Sequence, residues 1–266
     1  MEKVRASINT VKPLPLLLRV VATAGWIGTW AWAETATAPA TLSTSNGAVT
    51  TAMLPADAKK GNPTEWLSRE QLDALIAAVP PAPEPNSPKD NSDLAAILAA
   101  QASRTPEIEK TCKTYQNFSE KLFQDIYGPG LNKENSPLLF KMIRNVLAAT
   151  ATVNGTAKDK NKRLRPYQGH PDVVHALFQV NGFSYPSGHS MASFTLATVL
   201  GAIFPDRKQA FLDRAAAIAQ SRVDAGVHYP SDIQEGEVLG KATGDAILAN
   251  AAFQKDLAAV QAELKH

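Results

Sequence analysis

Three short stretches in the second half of the chain carry the residue types that could do chemistry. They cover residues 158–166, 185–189 and 221–232. Taken singly, each has an ordinary interpretation: a basic loop in solvent, a turn that caps a helix, and an acid–base pair of side chains four residues apart on a surface. Their combination is what points to a function.

Together the three stretches hold what a phosphate-binding site requires. An arginine side chain offers a planar fork that matches two phosphate oxygens at once. Ser187 and Gly188 directly precede an apolar helix, and the N-terminus of a helix attracts anions through its free N–H groups and its positive dipole end. The predicted phosphate-binding residues are therefore Lys158, Arg165, Ser187, Gly188 and Arg222.

Two histidines and an aspartate add the groups that phosphoryl transfer needs besides a binding site. A neutral imidazole can serve as a nucleophile, and a protonated one as an acid. His189 follows the Ser–Gly pair, and His228 lies four residues before Asp232. The carboxylate is placed to keep one ring nitrogen of His228 protonated, so that the other points its lone pair at phosphorus. These three residues are the predicted catalytic set.

This combination resembles the signature of the phosphatidic acid phosphatase type 2 / vanadium haloperoxidase superfamily. The signature consists of Lys-x6-Arg-Pro, Pro-Ser-Gly-His and Ser-Arg-x5-His-x3-Asp. All three parts occur here in order, separated by residues 167–185 and 190–220. Because each part is short, the conjunction carries the specificity. The resemblance implies an all-α fold, a single-domain helical bundle of the phosphatidic acid phosphatase type 2 / haloperoxidase type.

Within that superfamily the chain is similar to the class A bacterial nonspecific acid phosphatases, from about Pro63 to the C-terminus. Outside the three motifs, the likeness rests on residues 71–73, 93–95 and 136–139. The chain departs from the usual pattern at residues 182–190, where one residue is inserted after the glycine and Ser190 replaces a threonine. Members also often carry a disulfide, which the single Cys112 cannot form within this chain.

The resemblance also implies a role for each residue of the predicted site. His228 attacks phosphorus and forms a phosphohistidine, while Asp232 orients it. His189 protonates the leaving alcohol and then activates the water that releases phosphate. The five phosphate-binding residues hold the phosphoryl oxygens as charge shifts in the transition state. No metal and no cofactor is required, because three cations of the chain take that role.

The expected function is that of an exported, metal-independent acid phosphatase acting on small-molecule phosphomonoesters, with phosphoryl transfer to alcohols left open. Three alternatives share features of the site. A vanadium-dependent haloperoxidase would hold vanadate in the same pocket, and a membrane-lipid phosphatase would need spanning helices that the sequence does not predict. A non-catalytic, secreted phosphate-binding protein would not need the complete set of His189, His228 and Asp232.

The pattern of apolar residues indicates that helices position these groups. Apolar residues recur at three- and four-residue spacing over most of the chain, and no alternation of strand length occurs. We therefore expect roughly 8–10 helices around one core. The predicted helices begin after Ser68 as N-cap and near Ser92, and extend over residues 137–153, 191–204, 232–249 and 251–265.

The last three of these helices have features that predict their packing. The run over residues 191–204 is apolar but ends at a proline and a charged cluster, which predicts a buried core helix rather than a membrane span. Ser231 is placed to cap the next helix, and a glycine at every fourth position from 236 to 244 allows close helix–helix approach. The apolar face of residues 251–265 is suited to docking on the core or on a second subunit, which keeps a homo-oligomer open.

The N-terminal region predicts export. Residues 1–33 combine a basic start, an uncharged apolar run over residues 20–33 and a final Ala-Trp-Ala, which describes a secretory signal peptide. A membrane anchor, the alternative, would need about 20 apolar residues. Residues 34–63 are rich in Ala, Thr, Ser and Pro and predict a flexible lead. Residues 64–266 are then the acid phosphatase domain, expected in the periplasm or secreted, with no stable membrane insertion after cleavage.

Composition excludes several other classes of protein. The 266 residues contain 27 Lys and Arg against 25 Asp and Glu, so no strong net charge indicates a nucleic-acid partner. A hydrophobic content of 44% and a charged content of 20% argue against a disordered or fibrous chain. One cysteine excludes a disulfide framework and a multi-cysteine metal site, and we expect Cys112 to be buried and inert. His170 and His175 are interpreted as solvated loop residues near the mouth of the site.

Overall fold

The computed structural model describes residues 66–265, and this part of the chain is helical without strands. The predicted signal peptide 1–33 and lead 34–63 lie outside the described residues. Short 3-10 turns cover Glu120–Phe123 and Pro205–Arg207. The α-helices are α1 (Arg69–Ala78), α2 (Pro88–Ala102), α3 (Pro106–Thr114), α4 (Gln124–Tyr127), α5 (Pro137–Asn161), α6 (Pro166–Gly169), α7 (Gly188–Ile203), α8 (Lys208–Asp224), α9 (Pro230–Leu248) and α10 (Ala251–Glu263). The prediction of an all-α fold is confirmed.

Helix α7 forms the centre of the fold. It packs against α5, α8 and α9, and nearly every residue along it is buried, including Met191, Leu196 and Leu200. A helix that is apolar all round belongs in a protein core. The predicted core helix over residues 191–204 is therefore confirmed, with its start three residues earlier, at Gly188.

Close contact between α7 and α9 depends on the glycine stripe of α9. A Cβ atom built on Gly236 would lie 2.7 Å from the carbonyl oxygen of Ser187, and one on Gly240 would lie 2.6 Å from that of Met191. A Cβ on Gly244 would lie 2.7 Å from the side chain of Thr198. The missing side chains let the two backbones approach to a distance that alanine would forbid, which confirms the predicted packing role.

Three helix boundaries differ from the sequence-based expectation. Helix α5 continues to Asn161, eight residues past the predicted end at Val153, so Lys158 lies on a helix and not in a loop. Helix α9 begins at Pro230, because proline fits the first helical position, and Ser231 therefore lies inside the first turn instead of capping it. Helix α2 begins at Pro88, ahead of the predicted start near Ser92, with Ser87 as its N-cap.

The first and last described helices pack against this core. Ser68 caps α1 as predicted, in a reciprocal capping box with Gln71. Helix α10 buries its apolar face, including Phe253, against the core, and the ring of Trp66 meets Phe253 edge-to-face at 5.0 Å. The prediction that this face docks on the core is confirmed, while a second-subunit contact stays a prediction.

Two further expectations concern membrane spans and the cysteine. Among the helices in the described range, none is both long and apolar enough to cross a membrane. Cys112 is fully buried, and burial raises the pKa of its thiol to about 11. The thiol therefore stays protonated at neutral pH, in agreement with the predicted inert role.

The glycine stripe predicts an opposite response to alanine at two glycines. Gly240→Ala places a methyl group against the backbone of α7, so we expect a loss of about 1–3 kcal/mol in the free energy of unfolding. Gly155→Ala, inside α5, meets nothing within 4 Å and should instead stabilise the fold by about 0.5–1 kcal/mol. Urea unfolding of the two variants measures both effects. A Gly240→Ala variant as stable as Gly155→Ala would contradict the close contact.

Candidate active site

The three motifs meet around the N-terminus of α7. Lys158 comes from the last turns of α5, and Arg222 from the last turn of α8. His228 lies in the short connection before α9, while Asp232 lies in the first turn of that helix. Residue Lys162, in the left-handed region at φ 49°, ends α5 and turns the chain back so that Arg165 reaches the same place. Segments distant in sequence thus converge on one point.

The pair of His228 and Asp232 is buried and closely held. Nδ1 of His228 lies 3.2 Å from Oδ2 of Asp232. The same oxygen accepts the backbone N–H of Tyr229 at 2.9 Å and the hydroxyl of Ser184 in a short hydrogen bond. An ionised carboxylate only accepts hydrogen bonds, so Nδ1 carries the proton. The other ring nitrogen, Nε2, is therefore left with its lone pair.

Arg165 independently supports this tautomer. Its Nη1 lies 3.0 Å from Nε2 of His228, and a guanidinium can only donate, so Nε2 is the acceptor. The same Nη1 also donates to the carbonyl of Val227 at 2.9 Å, and Nε donates to the carbonyl of Gly182 at 3.0 Å. Arg165 thus donates to the lone pair of the predicted nucleophile and also binds the backbone of the preceding residue, Val227.

His189, in the first turn of α7, has one ring nitrogen bound to a backbone carbonyl. Its Nε2 lies 3.1 Å from the carbonyl oxygen of Gln116, which can only accept, so Nε2 is protonated. The ring is also held edge-on by Phe118, at 5.9 Å between centroids. Nδ1 is left as the atom that can exchange a proton with a substrate.

Burial sets the charge state of both histidines. Each is 2% exposed, and burial lowers the pKa of each well below the ordinary value of 6.5. Neighbouring cations add to the effect, Arg222 at His189 and Arg165 at His228. In the ligand-free protein both rings are therefore neutral at neutral pH. A neutral ring is the form that a nucleophile such as His228 needs. His189 can act as an acid only after it gains a proton, which requires a bound anion or a lower pH.

Arg222 is a buried cation with unused donors. It has no exposed surface, and its Nη1 donates to the carbonyl of Tyr115 at 3.2 Å. Its Nε and Nη2 are buried without a hydrogen-bond partner, while the guanidinium lies over the ring of Phe178 at 5.0 Å. Burial lowers the pKa of Arg222 to about 9, which leaves it charged at neutral pH. Because unpaired buried donors are costly, this geometry calls for an anionic acceptor.

Lys158 has a different environment from the one that the sequence suggests. Its Nζ donates to three backbone carbonyls, those of Phe183 at 2.7 Å, Ser184 at 3.0 Å and Pro186 at 2.6 Å. An ammonium group has three donors, so all are used within the protein. Burial, and after it the positive charge of Arg165, lower the pKa of Lys158 to about 7. In this structure Lys158 holds the loop before α7.

The N-terminus of α7 itself offers backbone donors. Ser187 is the N-cap, and its own N–H donates to the carbonyl of Asp232 at 2.9 Å. The N–H groups of Gly188 and His189 stand in the first turn, where no preceding turn supplies a carbonyl. These groups and the helix dipole favour an anion beside Arg222 and His228.

Several residues of the site were missed by reasoning from sequence. Arg163 lies in the basic run but was not selected, although it pairs with Asp232. The fold brings the hydroxyl of Ser184 to Asp232 and the carbonyl of Gln116 to His189, and the spacing in the sequence indicates neither contact. One sequence signal could have pointed to a partner for Arg163. Asp90 and Asp93 in α2 are three residues apart and thus share a helix face.

The two loop histidines lie apart from these contacts. His170 packs edge-on against Tyr229 at 6.5 Å, beside a cavity of about 560 Å³ that the proline-rich residues 81–85 also line. His175 is exposed, and its carbonyl oxygen accepts a hydrogen bond from Arg104. Within residues 66–265, no group of three or more His, Cys, Asp or Glu side chains is placed to hold a metal ion.

The chain is similar to several known proteins. Residues 141–254 match the PAP2 superfamily. The chain is 27% identical over 202 residues to a protein of Providencia stuartii named non-specific acid phosphatase, across 72% of this chain and 81% of that one. It is 32% identical over 151 residues to the non-specific acid phosphatase of Salmonella typhimurium, across 54% of this chain and 60% of that one.

A solved structure shows the same fold. A transmembrane PAP2 type phosphatidylglycerolphosphate phosphatase from Bacillus subtilis superposes with a TM-score of 0.51 at 21% identity, covering 69% of this chain and 92% of that one. The chain matches the PAP2 superfamily over residues 141–254, in agreement with the resemblance that the three motifs indicate. Its similarity to the two named phosphatases confirms the resemblance to the bacterial nonspecific acid phosphatases.

The buried neutral histidines predict that the ligand-free protein loses stability in acid. The unfolded chain binds protons on histidine near pH 6.5, whereas the folded pKa values of His189 and His228 lie well below it. As the pH falls below that value the unfolded state binds more protons, and the free energy of unfolding decreases by up to about 1.4 kcal/mol per pH unit for each histidine. Urea unfolding between about pH 7.5 and about pH 5 measures this slope.

Matched variants identify the source of the slope. Replacing both histidines with glutamine, which stays neutral, should flatten the dependence of stability on pH. His175→Gln, at an exposed position, should leave the slope as in the wild type. Equal slopes in all three proteins would contradict buried neutral imidazoles.

Proposed function

We propose that the protein is an exported, metal-independent acid phosphatase that hydrolyses phosphomonoesters through a phosphohistidine on His228. Phosphomonoester hydrolysis is supported by the relatives named acid phosphatases and by the PAP2 superfamily domain. The observation that carries the proposal is a fixed lone pair on His228 Nε2 in a site where buried Arg222 donors lack an acceptor. A phosphoryl group between them would satisfy both.

In the first step the bond between phosphorus and the leaving oxygen breaks as a bond to His228 forms. Nε2 exchanges its hydrogen bond from Arg165 Nη1 for a bond to phosphorus, and the ring becomes cationic. Asp232, at 3.2 Å from Nδ1, stabilises that positive charge. Arg222 and the N-terminus of α7 stabilise the negative charge on the phosphoryl oxygens. Protonated His189 gives its proton to the leaving alkoxide, so that an alcohol departs.

In the second step water takes the place of the departed alcohol. Neutral His189 accepts a proton from the water as its oxygen bonds to phosphorus. The bond between phosphorus and Nε2 breaks, which returns His228 to its starting tautomer and releases inorganic phosphate. An alcohol in place of water would yield a new phosphomonoester, so transferase activity follows from the same chemistry.

The charge states of the histidines favour work in acid. His228 is neutral well below pH 6.5, so the nucleophile persists as the solution becomes acidic. His189 must carry a proton, and the fraction that does so increases with acidity. A bound dianionic phosphate adds to this by favouring the imidazolium. Turnover is therefore expected to be faster below neutral pH than above it.

A direct test of the function is turnover of an aryl phosphate under three conditions. We expect hydrolysis to continue in EDTA, because the cations of the chain supply the charge, and to be inhibited by vanadate, which adopts the five-coordinate geometry at phosphorus. His228→Ala should reduce kcat to background, because the nucleophile is gone. Wild-type protein quenched in alkaline denaturant should carry an acid-labile, base-stable phosphoryl group on His228, located by mass spectrometry. Dependence on a divalent metal or an unlabelled His228 would refute the scheme.

A second prediction separates the roles of the two histidines. His189→Gln removes the acid, so hydrolysis of alkyl phosphates, whose leaving groups need a proton, should fall much more than hydrolysis of nitrophenyl phosphates. The general-acid contribution is on the order of 10²–10⁴-fold. The ratio of kcat/KM for the two substrates, in wild type and variant, measures it. Equal losses for both substrates would contradict the assignment.

Export is the remaining part of the proposal. Residues 1–33 fit a cleaved signal peptide, which would place the mature protein in the periplasm or the medium. The test is expression of the whole chain in a Gram-negative host, followed by the intact mass of the exported protein. A mass that begins at Glu34 supports cleavage after Ala33. Full-length protein in the membrane fraction would instead support an anchor.

A further inference from the structure

Arg163 lies at the centre of a buried charge cluster that the steps above do not use. Its Nη1 donates to Oδ1 of Asp232 at 2.8 Å and to the hydroxyl of Ser231 at 2.7 Å. Its Nη2 donates to Oδ1 of Asp90 at 2.7 Å and to Oδ2 of Asp93 at 3.0 Å. One guanidinium thus joins the first turn of α9 to the first half of α2.

We propose that Arg163 is a positioning residue, which acts on the reaction by holding the Asp232 carboxylate in the orientation that His228 requires. This inference rests on the proposed role of His228 as nucleophile. Arg163 engages Oδ1 of Asp232, and this leaves Oδ2 to face Nδ1 of His228. The two oxygens of one carboxylate are thereby assigned to different tasks.

The orientation needs this support because Asp232 has no exposed surface. Without Arg163, Oδ1 would lose its charged partner where water cannot replace it. The carboxylate would then rotate toward another donor, such as the Ser231 hydroxyl, or take up a proton. Either outcome weakens the contact with Nδ1, and His228 is no longer held in the tautomer whose lone pair lies on Nε2.

Arg163 is in turn held from several sides. Asp90 and Asp93 accept from its Nη2, and its guanidinium lies 3.8 Å from the centre of the Tyr229 ring. Lys89 pairs with Asp93 at 3.0 Å. A planar fork is needed here, because one flexible ammonium group could not reach both helices.

The cluster also has a useful charge balance. Asp90, Asp93 and Asp232 provide three negative charges, whereas Arg163 and Lys89 provide two positive ones. Arg163 is therefore largely neutralised by the acids of α2, and it does not cancel the charge of Asp232. One negative charge remains to stabilise His228 when the ring becomes cationic.

The partners on α2 lie outside the part of the chain that matches the superfamily. That match covers residues 141–254, whereas α2 spans Pro88–Ala102. Helix α2 would thus be a structural part of this active site, although it supplies no group that touches the phosphate.

The test combines Arg163→Gln and Arg163→Lys with ¹⁵N-histidine NMR and steady-state kinetics. Wild-type His228 should show a single tautomer with the proton on Nδ1. In Arg163→Gln we expect a mixture of tautomers at His228, unchanged signals from His189, and a fall in kcat on the order of 10- to 100-fold, the range known for outer partners of orienting carboxylates in metal sites. KM should change less than about threefold, because the phosphate ligands stay in place.

Arg214→Gln is the matched control. Arg214 also forms a two-pronged ion pair, with Asp125, but at the surface and away from the site. We expect it to leave the His228 spectrum and kcat unchanged. Arg163→Lys, which keeps the charge but loses the fork, should recover only part of the activity. Full recovery, or an unchanged His228 spectrum in Arg163→Gln, would overturn the proposal.

If Arg163→Gln fails to fold, the same measurements are made on Asp93→Asn, which keeps the shape of the aspartate side chain. A smaller fall in kcat with the same change at His228 would support the proposal, and wild-type values of both would overturn it. The NMR readout does not depend on turnover. If wild-type protein formed no phosphohistidine, the proposed function would fail, while the tautomer data would still decide whether Arg163 positions Asp232.

Discussion

The close contact between α7 and α9 is the constraint on which the site depends. Because Gly236 has no side chain, the backbone of Ser187 can lie against α9. The N–H of Ser187 then donates to the carbonyl of Asp232 at 2.9 Å. This joins the N-terminus of α7, the proposed anion-binding site, to the backbone of the residue whose carboxylate contacts His228. A side chain at position 236 would push α7 away from α9 and so separate Ser187 from Asp232, although Gly236 itself has no catalytic role.

Buried charge is the second theme of the structure, and its distribution is uneven. On the proposed phosphate side, Arg222 has two buried donors without a partner, whereas Lys158 and Arg165 donate to groups of the protein. On the opposite side of His228, Arg163 is paired with three carboxylates through its two terminal nitrogens. The histidine ring lies between a region short of negative charge and a region rich in it. In the proposed reaction, such a gradient would favour movement of a phosphoryl group toward the ring and would then stabilise the cationic intermediate.

The sequence predicted the all-α class and the central apolar helix because their signals are local: periodicity, caps and length. It also predicted that residues such as His228 and Asp232 act together, since four-residue spacing brings them close in space. It did not reveal Arg163, because a basic run gives no sign of which cation turns inward. Nor did it show that Lys158 donates its hydrogen bonds to backbone carbonyls, since those contacts depend on the path of the loop before α7. Long-range placement, not residue type, decided these two roles.

The three carbonyls bound by Lys158 have a consequence for selectivity. The hydrogen bonds from Lys158 hold residues 183–186 in place before a substrate binds. The entropic cost of ordering this loop therefore belongs to folding and does not weaken binding. If the protein has the proposed function, a rigid loop at the site would favour recognition of the PO₃ group that every phosphomonoester shares. It needs no closure driven by the alcohol part of the molecule, and the identity of that part contributes little to recognition. A broad substrate range would then result from the rigidity of the loop before α7.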